Sequence, residues 1–318
     1  MVDDELRILD WLVHTVGRAR DAAETHDTLT AWWQSIRAET ADWRVPVDRA
    51  IARGALADRV AFAFAAGYQA ALARLVPAIP EERVVSLCVT EAKGNHPRAL
   101  ETTLVRAAAG TLRLNGRKSW ATHSPHATEL LVAARAGLAA DGRPAIKLVR
   151  VRGDAPGVTV EPMHGIAFVP EISHGAVTLD EVAVADDDVL PGDGYADYVK
   201  PFRTVEDVHV AAALGAHLTR LAFVFDWPRD LREDLLAHLV ALRGLALADP
   251  RAIATHLALG GVFRDQGRLL VAIDPCWARV DDATRARWER DRALLAVAGS
   301  AREKRLEAAW TRLSAPDG

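Results

Sequence analysis

The 318-residue chain holds only two cysteines, Cys88 and Cys276, far apart and without a CxxC or neighbouring-histidine motif. That excludes a disulfide scaffold, and reduced thiols in a cytoplasmic protein are the expectation. No run of about 18 uninterrupted apolar residues occurs, so no membrane span is expected. The longest greasy stretch, Val60 to Val76, is broken by Gln69 and Arg74 and reads as a core helix. The acidic start, Met1 to Glu5, lacks the basic-then-apolar layout of a secretory signal. Positive charge is not in excess, the formal net charge being −4. With no basic-aromatic patch either, nucleic acid and anionic membrane are not expected as partners. The eleven histidines show no HExxH or paired metal spacing, so no metal site is expected. Internal repeats and low-complexity tracts are absent.

What is present falls into three rhythms. From Glu5 to about Val76 apolar residues recur at helical spacing, as in Leu6, Leu9, Val13 and Val16 and in Phe64, Tyr68, Leu72 and Leu75, with Pro46, Pro77 and Pro80 marking helix edges. From Val84 to Leu190 short strands follow one another. They are expected at 84–89, 103–108, 111–114, 129–134, 145–151, 158–160 and 176–179, with Gly110 and Asn115-Gly116 as turns. After Pro191 the helical period returns. Val208, Ala212, Gly215, Leu218, Leu221 and Phe225 lie on one stripe, and Pro228, Pro250 and Pro275 divide this part into four candidate helices. The expected fold class is therefore α+β and multidomain. It has an N-terminal helical domain (1–80), a central small β-barrel or sandwich domain (81–190) and a C-terminal helical bundle (191–318).

Two stretches raise a chemical question. In "CVTEAKGN" an apolar strand ends in Thr90-Glu91 and breaks into a polar loop. In "LNGRKSWAT" Trp120 stands alone two residues before Thr122, and Gly116 to His123 reads as a second break. Alone, Thr90 is a strand-end hydroxyl and Trp120 a packing residue. Together, and in this order with "DAPGVTV" and "VAVADDDVLPGDGY", they resemble the acyl-CoA dehydrogenase family. That resemblance implies an FAD-dependent oxidoreductase acting on an acyl-CoA or acyl-carrier thioester, and a homo-oligomer of at least two chains. It implies that Val89 and Thr90 grip the polar edge of the flavin and that Trp120 packs on its ring. Thr122 would bond near its reactive nitrogen, and Gly94 and Asn95 would lie near the pyrophosphate and substrate. Glu91 is expected to be structural.

The chain also departs from the family pattern. The loop after Glu91 is Ala-Lys-Gly-Asn-His where the family has Pro-Gly-Ala-Gly-Ser-Asp, and the last domain has no Arg-x-x-Phe-Gly or Gly-Gly-x-Gly segment. The carboxylate that usually acts as base, eight residues after the Asp of Arg290-Asp291, is replaced by Gly299. The other family position for a base falls at Val205, with Glu206 as its neighbour about 100° further round the helix. Glu206 is the catalytic candidate. Its alternative is an ion pair with Arg203 and a hydrogen bond with His209. Three functions stay open: a dehydrogenase with an atypical or impaired base, a flavoprotein of different chemistry, and a degenerate member without FAD that serves as a binding or scaffold protein.

Overall fold

The structure is a computed structural model that describes residues 7–18, 24–108, 110–164 and 166–314. The chain forms two compact units. One gathers the segment up to Arg74, residues Ala167–Glu171, and everything from Thr204 onward. The other comprises Leu75–Ile166 and Ile172–Arg203. The α+β architecture expected from the sequence is observed, with helices before and after a central curled sheet.

The helical unit is built from α1 (Arg7–Arg18), α2 (Leu29–Glu39), α3 (Pro46–Leu56), α4 (Val60–Leu75), α5 (Lys200–Val224), α6 (Arg229–Leu247), α7 (Ile253–Ile273), α8 (Asp282–Asp291), α9 (Leu294–Val297) and α10 (Gly299–Ser314). Pro46 opens α3 at its first position, where the missing amide costs nothing. The N-terminal and C-terminal helices share one core, in which Ile8, Leu12 and Ile51 meet Val208, Ala212, Leu239 and Leu242. Each of the valine, leucine and isoleucine side chains contributes about 1.5–3 kcal/mol on burial.

Rather than presenting one apolar stripe, α5 is buried on every side from Val208 to Ala222. The cause is its neighbours' closeness. A Cβ added at Gly54 of α3 would lie 2.2 Å from the Ala213 carbonyl oxygen, and one at Gly67 of α4 would lie 2.4 Å from the Val210 Cα. Glycine and alanine at these points let backbones touch backbones. The last expected helix is broken into α8, α9 and α10. At the first break the fully buried Asp291 carboxylate accepts the Val169 amide at 2.8 Å and two bonds from Arg290.

The other unit holds β1 (Val85–Cys88), β2 (Thr103–Arg106), β3 (Leu112–Thr122), β4 (Glu129–Leu138), β5 (Pro144–Arg152), β6 (Val158–Pro162) and β7 (His174–Val184) in one sheet. β5 pairs with one edge of β4; β1 and β2 follow one another along the other edge, both parallel to it. The sheet then continues antiparallel through β3, β7 and β6. Leu114, Val132, Val149 and Val177 fill its core.

All seven expected strands are present, but Asn115-Gly116 is not a turn and Gly116 to His123 is no break. β3 runs on through Thr122. Asn115 is held by its side chain, which donates to Glu181 Oε1 and accepts the Glu181 amide. Gly116 lies so close to Thr102 that a Cβ would meet its Oγ1 at 2.4 Å. The Asn-Gly pair marks a bulge and a close approach, which give the same local composition as a hairpin turn.

Candidate functional site

The polar residues at the end of β1 serve two different purposes. Glu91 is buried, and its carboxylate accepts from Lys118 Nζ at 2.5 Å, from the Glu101 amide at 2.5 Å, and from the Thr102 amide and hydroxyl at 3.1 and 2.7 Å. Burial pushes this carboxyl up, but the donors, Lys118 foremost, outweigh it and hold Glu91 below the usual carboxylate range. Lys118 is itself wholly buried on β3, and its remaining donors reach the carbonyls of Ala133 at 2.6 Å and Val89 at 3.4 Å. A single ammonium thus ties β1, β3 and β4 together beneath the strand ends. Glu91 is structural, as expected.

Directly beyond Lys118, β3 carries one extra residue. Lys118 pairs with Val177 and Ala121 with Gly175, so Ser119 and Trp120 together oppose Ala176. The bulge turns two amides away from β7. Ser119 donates to the Thr90 carbonyl at 2.8 Å, and Trp120 donates to Met163 Sδ at 3.2 Å. Trp120 sits in the left-handed region at φ 54°, a strained conformation for a bulky residue, and the residue is 50% exposed. The bulge thus holds a large aromatic residue out at the surface, away from the core.

The His174 ring meets the Trp120 indole edge-on at 5.9 Å, and Thr122 pairs with His174 across the strands. Thr90 and Thr122 are half-buried beside the indole's strand. Behind them lies His123, 1% exposed, where burial pulls its imidazole down to about 3 and keeps it neutral.

In the loop after Glu91 the geometry is less suited to a ligand. Gly94, at φ 110°, exchanges two backbone bonds with Glu91, its amide donating at 2.9 Å. Its N–H is therefore spent. Asn95 is exposed, and Val89 is buried with its carbonyl facing Lys118.

In the helical unit, Val205 and Glu206 face different spaces, as one residue's rotation requires. Val205 lines a narrow gap with Val208, Leu245 and Ala246. Glu206 lines a cavity of 150 Å³ whose apolar walls come from Phe64, Val210, Leu214, Leu294, Leu295, Val297 and Ala298. Gly299 stands on the wall of a neighbouring cavity of 310 Å³ between α7 and α10, and Arg302 borders both. The expected bond between Glu206 and His209 is not formed. His209 is buried, its Nδ1 bonds the Val205 carbonyl at 2.7 Å, and its Nε2 has no partner among the described residues.

These features coincide with a known architecture. Residues 86–182 match the family model described as acyl-CoA dehydrogenase, middle domain. Residues 86–182 thus carry the middle domain of an acyl-CoA dehydrogenase. Among solved structures, it is similar in fold to a glutaryl-CoA dehydrogenase from Mycobacterium smegmatis (TM-score 0.67, 14% identity, covering 100% of this chain and 97% of that one). It is equally similar to the butyryl-CoA dehydrogenase of Megasphaera elsdenii (TM-score 0.66, 14% identity, 98% of each chain). A prolyl acyl carrier protein oxidase superposes as well (TM-score 0.67, 12% identity, 99% of this chain and 100% of that one). No curated protein matches the chain in sequence.

Within the segment that matches, hydrogen bonding brings Thr90 alongside Ser119-Trp120. Sequence reasoning gave no role to Lys118 or Met163 and read Ser173-His174 as a solvated turn, whereas His174 is half-buried at the start of β7 against Trp120. Of these only Lys118 left a signal, a lysine at an inward-facing strand position in a chain with five lysines. His174 and Met163 arrive through the β6–β7 connection, which no local pattern announces.

Proposed function

We propose that the chain is an FAD-dependent oxidoreductase of the acyl-CoA dehydrogenase type that acts on an acyl thioester, with Glu206 as its base. The observation that carries this reading is the 150 Å³ cavity. The family places its base either on the helix that is α5 here or at the position of Gly299. Glu206 from α5 lines one space with Leu294, Leu295, Val297 and Ala298, the last of which precedes Gly299. Gly299 itself stands on the adjoining cavity, with Arg302 bordering both, so a base at Glu206 would work from the chamber next to the position that Gly299 occupies.

The residues of the β unit fit a flavin ring. A half-exposed tryptophan held out by a strained bulge offers a stacking face, and Thr90 and Thr122 offer hydroxyls for its polar edge. They give less to the diphosphate, because the Gly94 amide is already bonded. The flavin, when bound, supplies the acceptor for a hydride and its electron pair from the β-carbon. Glu206 takes the α-proton of the thioester, and a positioned base of this kind contributes about 10²–10⁴-fold. The apolar walls from Phe64, Val210 and Leu214 exclude water from that proton transfer.

The acyl carrier is coenzyme A or a carrier protein, and the assembly is at least a dimer. Val240, Leu247 and Val271 on α6 and α7 are exposed apolar residues that support a helix-to-helix contact between copies. Among the described residues no helix is long and apolar enough to cross a membrane.

The test is the visible spectrum of the purified protein after incubation with excess FAD and removal of the unbound part. A retained flavin band that acyl thioesters bleach, with Glu206→Gln slowing bleaching at least a hundredfold, is expected. A colourless protein would overturn the reading and leave the fold as a binding scaffold. A hundredfold loss is about 2.7 kcal/mol of barrier.

A further inference from the structure

The bulge that presents Trp120 is fastened by sulfur. Where β3 carries its extra residue, the Trp120 amide leaves the ladder with β7 and donates to Met163 Sδ at 3.2 Å. Met163 lies one residue beyond β6, and its own amide donates to the His174 carbonyl at 2.8 Å. The His174 ring in turn meets the Trp120 indole edge-on at 5.9 Å. The three residues close a ring of contacts. Backbone ties Met163 to β7, sulfur ties the bulge to Met163, and the two aromatic rings meet.

A left-handed backbone at a bulky residue persists only where its surroundings over-determine it. Two hydrogen bonds from backbone amides do so here, Ser119 to the Thr90 carbonyl and Trp120 to the sulfur. The first holds the residue before the strained one, and the second acts on the strained residue itself. We infer that Met163 is a positioning residue for flavin binding: its Sδ holds the Trp120 amide, and so holds the indole in the orientation that stacks on the ring. The inference rests on the reading that Trp120 meets a flavin. Water can replace a thioether, which is a weak acceptor, as partner of the amide. Water follows the amide and does not fix it, so loss of the sulfur costs ligand affinity rather than fold.

The test removes the sulfur and keeps the bulk. Met163→Leu is expected to weaken FAD binding about fivefold, the worth of one hydrogen bond, read by titration of flavin fluorescence. In Trp120→Gly, which has no indole to place, the same change costs nothing further, because two groups that act as a unit are not additive. Selenomethionine protein, in which selenium keeps the acceptor, binds FAD as the parent does. Met1 is the only other methionine, so the labelling changes little else. A second readout needs no flavin. With tryptophan labelled by nitrogen-15, the Trp120 amide is expected to exchange with deuterium about fivefold faster in Met163→Leu than in the parent.

Unchanged FAD affinity in Met163→Leu, an equal loss in the Trp120→Gly background, weaker binding by the selenomethionine protein, or a Trp120 amide that exchanges no faster would each overturn the inference. The two readings fail separately. A colourless protein whose Trp120 amide is freed by Met163→Leu loses the flavin and keeps the sulfur's placement of the indole. A flavoprotein indifferent to Met163→Leu keeps the flavin and loses the role of Met163.

Discussion

At the scale of single residues, the site rests on one buried ion pair and one strained indole. Removing the cation from Lys118 leaves the Glu91 carboxylate charged and buried, which costs about 3–5 kcal/mol. Lys118→Met is therefore expected to lower the urea midpoint sharply with the denaturant slope unchanged, read by equilibrium unfolding. Trp120 behaves in the opposite way. Its backbone lies where glycine is at ease, so Trp120→Gly relieves strain of about 1–3 kcal/mol against a modest loss of packing. Unfolding free energy should shift by less than about 1 kcal/mol while FAD binding, followed by titration of flavin fluorescence, falls at least tenfold. Thr90, Glu91 and Trp120 were legible in the sequence because their spacing is local. The partners that explain them were not. Lys118 meets Ala133, and Trp120 meets Met163 and His174, through strand neighbours that only the sheet order supplies.

At the scale of elements, α5 shows why periodicity located the helices but misjudged their surroundings. A stripe was expected, yet alanine and glycine on its other faces pack as tightly as the larger residues of the stripe. A pattern of hydrophobic size cannot distinguish an alanine facing water from one facing a backbone. Two glycine substitutions separate these cases. Gly54→Ala forces α3 away from the Ala213 carbonyl and should destabilise the protein by about 1–3 kcal/mol, the usual cost of overpacking. At Gly244, within α6, an added methyl meets nothing within 4 Å, so Gly244→Ala should stabilise the protein by about 0.5–1 kcal/mol. Thermal unfolding of the two variants beside the parent checks both signs.

At the scale of the whole molecule, buried neutral histidines set the acid limit of stability. Burial pulls His209 and His217 down to about 4 and His123 down to about 3. In the unfolded chain each takes a proton near pH 6.5, whereas in the folded chain it does not. Their contribution is therefore complete above pH 6.5 and is lost as pH falls from there toward 4. Each adds about 1.4 kcal/mol per pH unit, so the three together give a slope of about 4 kcal/mol per unit between pH 6 and 5. Denaturant unfolding at these two values should show that slope, and His209→Leu should reduce it by about one third.

The shared core of the helical unit has a consequence for how the protein is made. The Ala55 carbonyl accepts a hydrogen bond from Arg220, 165 residues later in the chain. A ribosome adding about 5–20 residues per second needs roughly 8–33 s to reach that partner. Throughout that interval α1, α3 and α4 have emerged with their apolar faces uncovered, while the β unit, translated next, can already close around Lys118. The nascent chain is thus most vulnerable to aggregation before its last third is translated, and chaperone capture during synthesis should favour the N-terminal helices.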